Sequence, residues 1–327
     1  MISPDDRLLA DLVELGGAGL SVTEFGAETA PPTGAGVVRV GVHREGPRPP
    51  ALEAFDILIS ADPSAPRPWV GLPAAGIDPA LEALARAVAA QPVAAAAAAQ
   101  VLRTSLLLSF GQALAQESIA YSMLLASGGF RGWRESHPPR ERLPDPEPRV
   151  RIETGDARLE LILDRPARRN AFDARMRDEL VEALSFALEH PDAPPVAVSG
   201  EGPAFSAGGD LDEFGRAGDV GDAHLIRTLR SPARLVRELG ERCVVRLHGA
   251  CVGAGIEVSA AAHRIAARPG AVFRLPEVGM GLIPGAGGTA TIPRRIGRRR
   301  TAFMALSGAE VDLATALAWG LVDEIAA

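Results

Sequence analysis

The feature that most constrains this chain is a glycine-rich run, residues 248–255, that leads directly into an acidic residue. The apolar residues 244–247 before it predict a short buried strand. Small residues cannot fill a core, so the run must serve the backbone, where glycine allows close approach to a ligand. Residues 256–262 then predict a helix, whose first free N–H groups favour an anion. Glu257 lies one turn into that helix.

A second acid, Glu277, follows 20 residues later, just before another glycine-rich run at 281–288. Two carboxylates that frame one amide site indicate proton transfer beside a developing oxyanion. The alternative is that Glu277 is a solvated loop residue after Pro276, and that Glu257 only complements a helix dipole. These residues alone leave both interpretations open.

A third glycine-rich turn, residues 202–211, follows a predicted strand at 196–199. With it, the sequence resembles the crotonase (enoyl-CoA hydratase/isomerase) superfamily from roughly Val150 to the C-terminus. The matching motifs occur in the family's order and spacing, and five ordered motifs are far more specific than one. They are Arg165-Pro166 with Asn170-Ala171-Phe172, Phe205-Ser206-Ala207-Gly208-Gly209-Asp210, Gly253-Ala254-Gly255 with Glu257, Pro276-Glu277, and Gly281-Leu282-Ile283-Pro284-Gly285 with Gly287-Gly288.

The resemblance implies an α/β fold, a crotonase-like ββα spiral core over residues 149–327 with an added N-terminal mixed and helical region. We divide that addition into a small mixed α/β region (1–76), a helical region (77–134) and a Pro-rich linker (135–148). Family members usually continue past the match to Gly320-Leu321-Val322-Asp323 in further helices. Region 77–134 is similar to those helices, so we expect a permutation-like arrangement in which the helical cover precedes the core. An unrelated helical domain is the alternative.

Periodicity predicts individual elements within these regions. Before the core we expect a loop at 26–35 and strands at 37–42 and 55–60. We expect helices at 4–15, 93–104 and 106–125, and another that starts after Asp78 as its cap. Gly128-Gly129 is expected to end the helix at 106–125. In the core we expect a hairpin of 151–153 with 159–163, helices at 173–188 and 223–239, and strands at 196–199, 244–247 and 264–267.

The resemblance also implies roles for site residues. The N–H groups of Gly209 and Ala254 match the pair of amides that hold a thioester carbonyl as an enolate-like oxyanion forms. Glu257 and Glu277 match the two carboxylates of the hydratase subgroup. By that match Glu277 delivers the proton to C2 and Glu257 orients and deprotonates the water, although a single sequence does not decide which glutamate has which role.

A second set of residues is implied to contact CoA. Arg168 and Arg169 are candidates for its phosphates, and Ala171 and Ala207 for the adenine and pantetheine channel, with Asp210 beside them. An exposed basic loop is the alternative for the arginines. Arg274 replaces a small residue and either points away from the site or reaches the acyl pocket.

Composition narrows the class of protein. The chain of 327 residues is 47% hydrophobic, has a net charge of −7 and contains no lysine, so nucleic acid is not an expected partner. Two isolated cysteines suggest a reduced, cytoplasmic protein without a metal, and no membrane segment is predicted. The densest basic run, residues 294–300, is expected to be a solvated helix face, or else a phosphate or subunit contact.

The leading hypothesis is therefore an enoyl-CoA hydratase, a lyase of fatty acid or secondary metabolism, acting on an acyl-CoA or enoyl-CoA thioester. No cofactor is expected, because CoA is part of the substrate. The alternatives are an isomerase that needs only Glu277, a dehydratase or cofactor-free oxygenase of secondary metabolism, and a non-catalytic acyl-CoA-binding partner subunit. The resemblance also implies a homo-oligomer, a trimer or hexamer, or a hetero-oligomer with another crotonase.

Overall fold

The computed structural model describes residues 19–25, 36–45, 53–140, 148–155, 158–190, 192 and 194–326. The helix expected at 4–15 and the loop expected at 26–35 lie outside these residues, as do residues 141–147 of the linker expected at 135–148. Among the described residues no helix is both long and apolar enough to cross a membrane.

The N-terminal region is built on a small, fully parallel sheet whose strands run in chain order. Its strands are β1 (Leu20–Glu24), β2 (Val38–His43), β3 (Ile57–Ser60) and β4 (Val70–Gly71). The strands expected at 37–42 and 55–60 are confirmed with shifted ends. Valine and isoleucine dominate both, and β-branched residues suit a buried pleated surface.

Four helices follow: α1 (Ala74–Ala90), α2 (Pro92–Thr104), α3 (Phe110–Leu125) and α4 (Gly128–Ser136). Two details of the sequence prediction were wrong here. Helix α1 begins at Ala74 and contains Pro79, while Asp78 pairs with Arg44 instead of capping. Gly128-Gly129 begins α4, because the Ser127 side chain accepts a hydrogen bond from the Phe130 amide and caps that helix.

The second region contains a six-stranded sheet in the order β13-β10-β8-β7-β6-β5 and a three-stranded sheet in the order β12-β11-β9. The hairpin of β5 and β6 is antiparallel as predicted, and the other neighbours in the larger sheet are parallel. The strands are β5 (Val150–Thr154), β6 (Leu159–Leu163), β7 (Val196–Gly200), β8 (Cys243–Leu247), β9 (Ala250–Val252), β10 (Arg264–Ala267), β11 (Val272–Arg274), β12 (Val311–Asp312) and β13 (Glu324–Ile325).

Helices cover these sheets. They are α5 (Ala174–Glu189), α6 (Val220–Leu229), α7 (Pro232–Leu239), α8 (Ala254–Ser259), α9 (Gly288–Ile296), α10 (Arg298–Ser307) and α11 (Leu313–Trp319). The single helix expected at 223–239 is wrong. Pro232 disfavours helical geometry at Ser231, and the Ser231 side chain accepts from the Arg234 amide to start α7 afresh.

One of the hydrophobic clusters contains buried residues of both regions. Phe130 of α4 packs in the same buried cluster as Val278 and Leu282. Buried residues of β2, β3, α1 and α2 belong to this cluster as well. The arginine run at 294–300 contributes to this contact and is not a solvated face. Arg299 and Arg300 are buried, and they donate to the backbone carbonyls of Phe55, Ala65 and Trp69. The residue limits of the four proposed segments stay a prediction.

Candidate active site

Two glycine-rich turns lie side by side at the centre of the second region. The Ser206 amide donates to the Ala250 carbonyl (3.1 Å), and the Val252 amide donates to the Ser206 carbonyl (3.0 Å). This pairing places Gly209, at the end of one turn, and Ala254, at the start of α8, on one cavity wall. Among the described residues neither of their N–H groups has an acceptor. Two free, preorganised amides facing a cavity can stabilise an oxyanion.

Glu257 is held by the backbone at the start of α9. It is only 2% exposed, and its Oε2 accepts hydrogen bonds from the amides of Ala286 (2.7 Å) and Gly288 (2.9 Å). The Thr291 hydroxyl also donates to the Glu257 carbonyl (2.8 Å), which ties α8 to α9. One oxygen of the carboxylate is therefore fixed, which orients the whole group.

Glu277 begins the 3-10 turn Glu277–Met280 and reaches the same cavity from the other side. It is 7% exposed, and within the described ranges its buried Oε2 has no hydrogen-bond partner. Buried polar atoms are rarely left unpaired, because the loss of hydration is costly. A carboxyl group that lines a cavity and has an unpaired oxygen is typical of a group that acts on a ligand.

These four residues line one cavity with a volume of about 510 Å³. Its wall combines apolar and cationic side chains with the amides and carboxyls. The apolar ones include Leu114, Leu125, Phe172 and Val258, and the cationic ones include Arg177, Arg227 and Arg230. A half-open apolar cavity with a few convergent polar groups is the usual form of a small-molecule site.

A model of the enoyl-CoA hydratase/isomerase family matches residues 154–327, which is more than half of the chain and includes every one of these four residues. The chain belongs to the enoyl-CoA hydratase/isomerase family. The crotonase fold expected for the core is confirmed by solved structures of the same family. An enoyl-CoA hydratase of Thermoplasma volcanium is 30% identical, with a TM-score of 0.50 over 55% of this chain and 72% of that one.

Two curated relatives have a similar sequence identity to this chain. The enoyl-CoA isomerase/hydratase fer4 of Mycosarcoma maydis is 30% identical over 175 residues, 51% of this chain and 64% of the relative. The 2,3-dehydroadipyl-CoA hydratase of Escherichia coli is 31% identical over 172 residues, 51% of this chain and 65% of the relative. The chain thus spans just under two thirds of the length of each, and the names include both hydration and isomerisation.

The structure adds a third buried glutamate that the sequence analysis did not assign to the site. Glu117 of α3 is 2% exposed and lines the cavity. Its Oε1 accepts from the Gly287 amide (2.6 Å), and its Oε2 accepts from the Thr289 amide and hydroxyl (both 2.7 Å). The available signal was a carboxylate on the apolar face of a helix, three residues after Leu114 and four before Tyr121. That position predicts burial, and a buried carboxylate needs partners.

Burial raises the pKa of all three carboxyls. Desolvation, followed by the charge of Glu257, raises the pKa of Glu117 to about 8, against the opposing donors from Thr289 and Gly287. Desolvation raises the pKa of Glu257 to about 7, opposed by the Ala286 and Gly288 amides. Desolvation and then the charge of Glu257 raise the pKa of Glu277 well above its ordinary value. Among the described residues Oε2 of Glu277 has no donor, so fewer hydrogen bonds oppose the rise in its pKa than in that of Glu257.

The residues expected to contact CoA lie on two segments, residues 168–171 and the glycine-rich turn at 202–211. Asp210 lines the cavity, and its carboxylate accepts from Arg165 (2.7 Å). Arg168, Arg169, Ala171 and Ala207 do not line it. Arg169 is exposed, and its carbonyl accepts from the Ala207 amide (2.8 Å). A CoA role for these five residues stays a prediction.

Arg274 does not line the cavity. Its side chain is exposed and donates to the Gly308 carbonyl (2.8 Å), so it points away from the site. In the part of the chain that the structure describes, no group of three or more His, Cys, Asp or Glu side chains is arranged to hold a metal ion.

Proposed function

We propose that this protein is an enoyl-CoA hydratase that adds water across the 2,3-double bond of a CoA thioester. The observation that supports the proposal is the presence of two buried carboxyls, Glu257 and Glu277, on a cavity that also contains the free amides of Gly209 and Ala254. Hydration needs a base, an acid and an oxyanion site together. CoA enters as part of the substrate.

In the proposed reaction, Glu257 takes a proton from water as the water oxygen bonds to C3. The electron pair of the double bond moves into the thioester, whose oxygen becomes an enolate held by the Gly209 and Ala254 amides. Glu277 then gives its proton to C2, and the carbonyl reforms. The fixed orientation of Glu257 suits the positioning of water, and the raised pKa of Glu277 suits proton donation.

An isomerase is the second candidate. It would move one proton between two carbons, which needs a single carboxyl and the oxyanion site. The unpaired Oε2 of Glu277 favours this reading, because Glu257 is the more heavily hydrogen-bonded of the two. Secondary-metabolism dehydratase or oxygenase activity, and a non-catalytic binding subunit, stay alternatives.

The test is turnover of crotonyl-CoA and of longer and aryl enoyl-CoAs, followed as loss of the conjugated thioester absorbance. For a hydratase, Glu257→Gln and Glu277→Gln should each lower kcat by about 100-fold or more, because each removes a positioned acid or base. Binding of a saturated acyl-CoA should survive in both, since amides hold its carbonyl. Glu182→Gln, at an exposed site on α5, is the matched control.

Other outcomes identify the other candidates. A severe loss with Glu277→Gln and a mild loss with Glu257→Gln would indicate an isomerase. Binding of acyl-CoA without turnover in the unaltered protein would indicate a binding subunit. Homo-oligomer formation and a cytoplasmic location are further parts of the proposal, and light scattering of the purified protein checks the first.

A further inference from the structure

The run of backbone amides at the start of α9 serves two carboxylates in alternation. The amides of Ala286 and Gly288 donate to Glu257, whereas those of Gly287 and Thr289 donate to Glu117. Four successive N–H groups at a helix start would otherwise lack partners. Each carboxylate therefore fixes the backbone that also carries the donors of the other.

Glu117 reaches this run from a distant part of the chain. It lies in α3, before the segment 154–327 that the family model matches, and 170 residues separate it from Gly287. Helix α3 is held against α6 at the same place, since Arg227 donates to the Ser118 hydroxyl (3.1 Å) and its guanidinium stacks on the Tyr121 ring (4.7 Å). Tyr121 in turn packs directly on Gly285, just ahead of the amide run.

We propose that Glu117 is a positioning residue for the reaction: by holding the Gly287 and Thr289 amides it fixes the run that orients Glu257, which makes helix α3 part of the active site. What Glu257 does rests on the proposed function above. Glu117 has three donors on its two oxygens, so its role is to hold the site rather than to exchange a proton with substrate.

The charge of Glu117 has a consequence of its own. Like charges in a buried cluster raise one another's pKa, and the charge of Glu117 adds to the raised pKa of Glu277. The other titratable groups whose charges act on Glu117 and Glu277 are Glu257, Tyr121, Arg227 and Arg274, with His224 bonded to Ser118 nearby. Replacing Glu117 with glutamine removes the negative charge that Glu117 carries when it is ionised, and leaves the other groups in place.

The first test is the pH profile of hydration by the full chain. In Glu117→Gln the side-chain NH₂ faces a backbone N–H donor, so the backbone at the start of α9 is held less firmly. We therefore expect kcat to fall about 10-fold to 100-fold while KM for the thioester is unchanged. The basic limb, set by loss of the Glu277 proton, should move to lower pH, because one charge that raises the pKa of Glu277 is gone. A lower kcat without a moved limb, or no change at all, overturns the proposal. Glu182→Gln should change neither quantity.

The second test needs no activity. A carboxyl whose pKa is raised on folding stabilises the protein below its unfolded pKa, and this stability is lost as pH rises through its folded pKa. The free energy of unfolding should therefore fall between about pH 4.5 and pH 8, and Glu117→Gln should make this fall smaller. Thr289→Val keeps the carboxyl but removes one donor to its ionised form, so it should extend the fall to higher pH.

The two tests distinguish a failure of the proposed function from a failure of the inference about Glu117. If no enoyl-CoA is hydrated by the unaltered protein, the proposed function fails while the unfolding measurements still judge Glu117. If hydration occurs but Glu117→Gln and Thr289→Val both unfold with the pH dependence of the unaltered protein, the inference fails alone. Should Glu117→Gln not fold, Thr289→Val decides, and an unchanged pH dependence in it overturns the inference.

Discussion

At the scale of single residues, the site depends on backbone positions that exclude side chains. Gly253 precedes Ala254, whose amide holds the oxyanion in the proposed reaction, and has φ of +47° and ψ of −122°, a region that essentially only glycine adopts. A methyl group there would also overlap Oε1 of Glu277. A Cβ atom is therefore excluded at position 253 for two reasons: the backbone conformation and the space that Glu277 occupies.

We expect Gly253→Ala to destabilise the protein by more than the backbone cost alone and to lower turnover by displacing Glu277. Gly240→Ala is the matched control, because Gly240 has nearly the same conformation (φ +55°, ψ −128°) and open space around it. The control should cost about 1–3 kcal/mol from strain and leave turnover unchanged. Chemical denaturation measures both, and equal losses of stability and activity in the two variants would contradict this account.

At the scale of elements, helix α3 must begin at the correct residue to deliver Glu117. The Ser109 side chain accepts from the Gln112 amide (3.3 Å), and the Gln112 side chain accepts from the Ser109 amide (3.0 Å), a complete capping box. Leu114, Glu117 and Tyr121 then face the cavity, while Ser118 and Ser122 contact α6. One side of the helix therefore serves both the cavity and the contact with α6, while Ile119 and Met123 on the other side are exposed.

We expect Ser109→Ala to lower the free energy of unfolding by about 1 kcal/mol, because two amides lose their acceptor or its support. Gly111→Ala, in the first turn of the same helix, should raise it by about 0.5–1 kcal/mol, since the site is open and alanine favours a helix. Urea denaturation of both variants checks the pair. Changes of the same sign would show that the α3 terminus does not limit stability.

At the scale of the whole molecule, the N-terminal region and the family core are one folded body. Helix α3 packs on α6 and α9, and α10 packs on α1, α2 and β3. Arg298, Arg299 and Arg300 bond to carbonyls of the N-terminal region. Apolar burial at about 25 cal/mol per Å² makes such a shared core a large part of total stability.

We therefore expect residues 149–327 alone to aggregate or to lose cooperative unfolding, because Val278, Leu282 and Phe303 would lose the apolar partners that bury them. Thermal melting followed by circular dichroism, with dye binding to exposed apolar surface, measures this against the full chain. A fragment that stays soluble, melts cooperatively and keeps full activity would refute the expectation.

The sequence by itself determined the parts of the protein that depend on short stretches of chain. The glycine turns, the hairpin of β5 and β6, and the placement of Glu257 and Glu277 follow from neighbouring residues and motif order, so they could be predicted. The Ser231-Pro232 break was also local, and we missed it because the apolar spacing continues through it. Gly128-Gly129 was predicted to end a helix and instead begins one. The cause is also local, since glycine is tolerated in a first turn when Ser127 supplies the cap.

Only the tertiary structure decided which distant residues complete the site. Glu117 meets Gly287 across 170 residues of chain, and Arg300 meets Trp69 across 231. Periodicity predicts that such a residue is buried, but its partner depends on how whole helices pack. A buried carboxylate or guanidinium is stable only where packing supplies its donors or acceptors, and that condition is set by the assembled fold rather than by adjacent sequence.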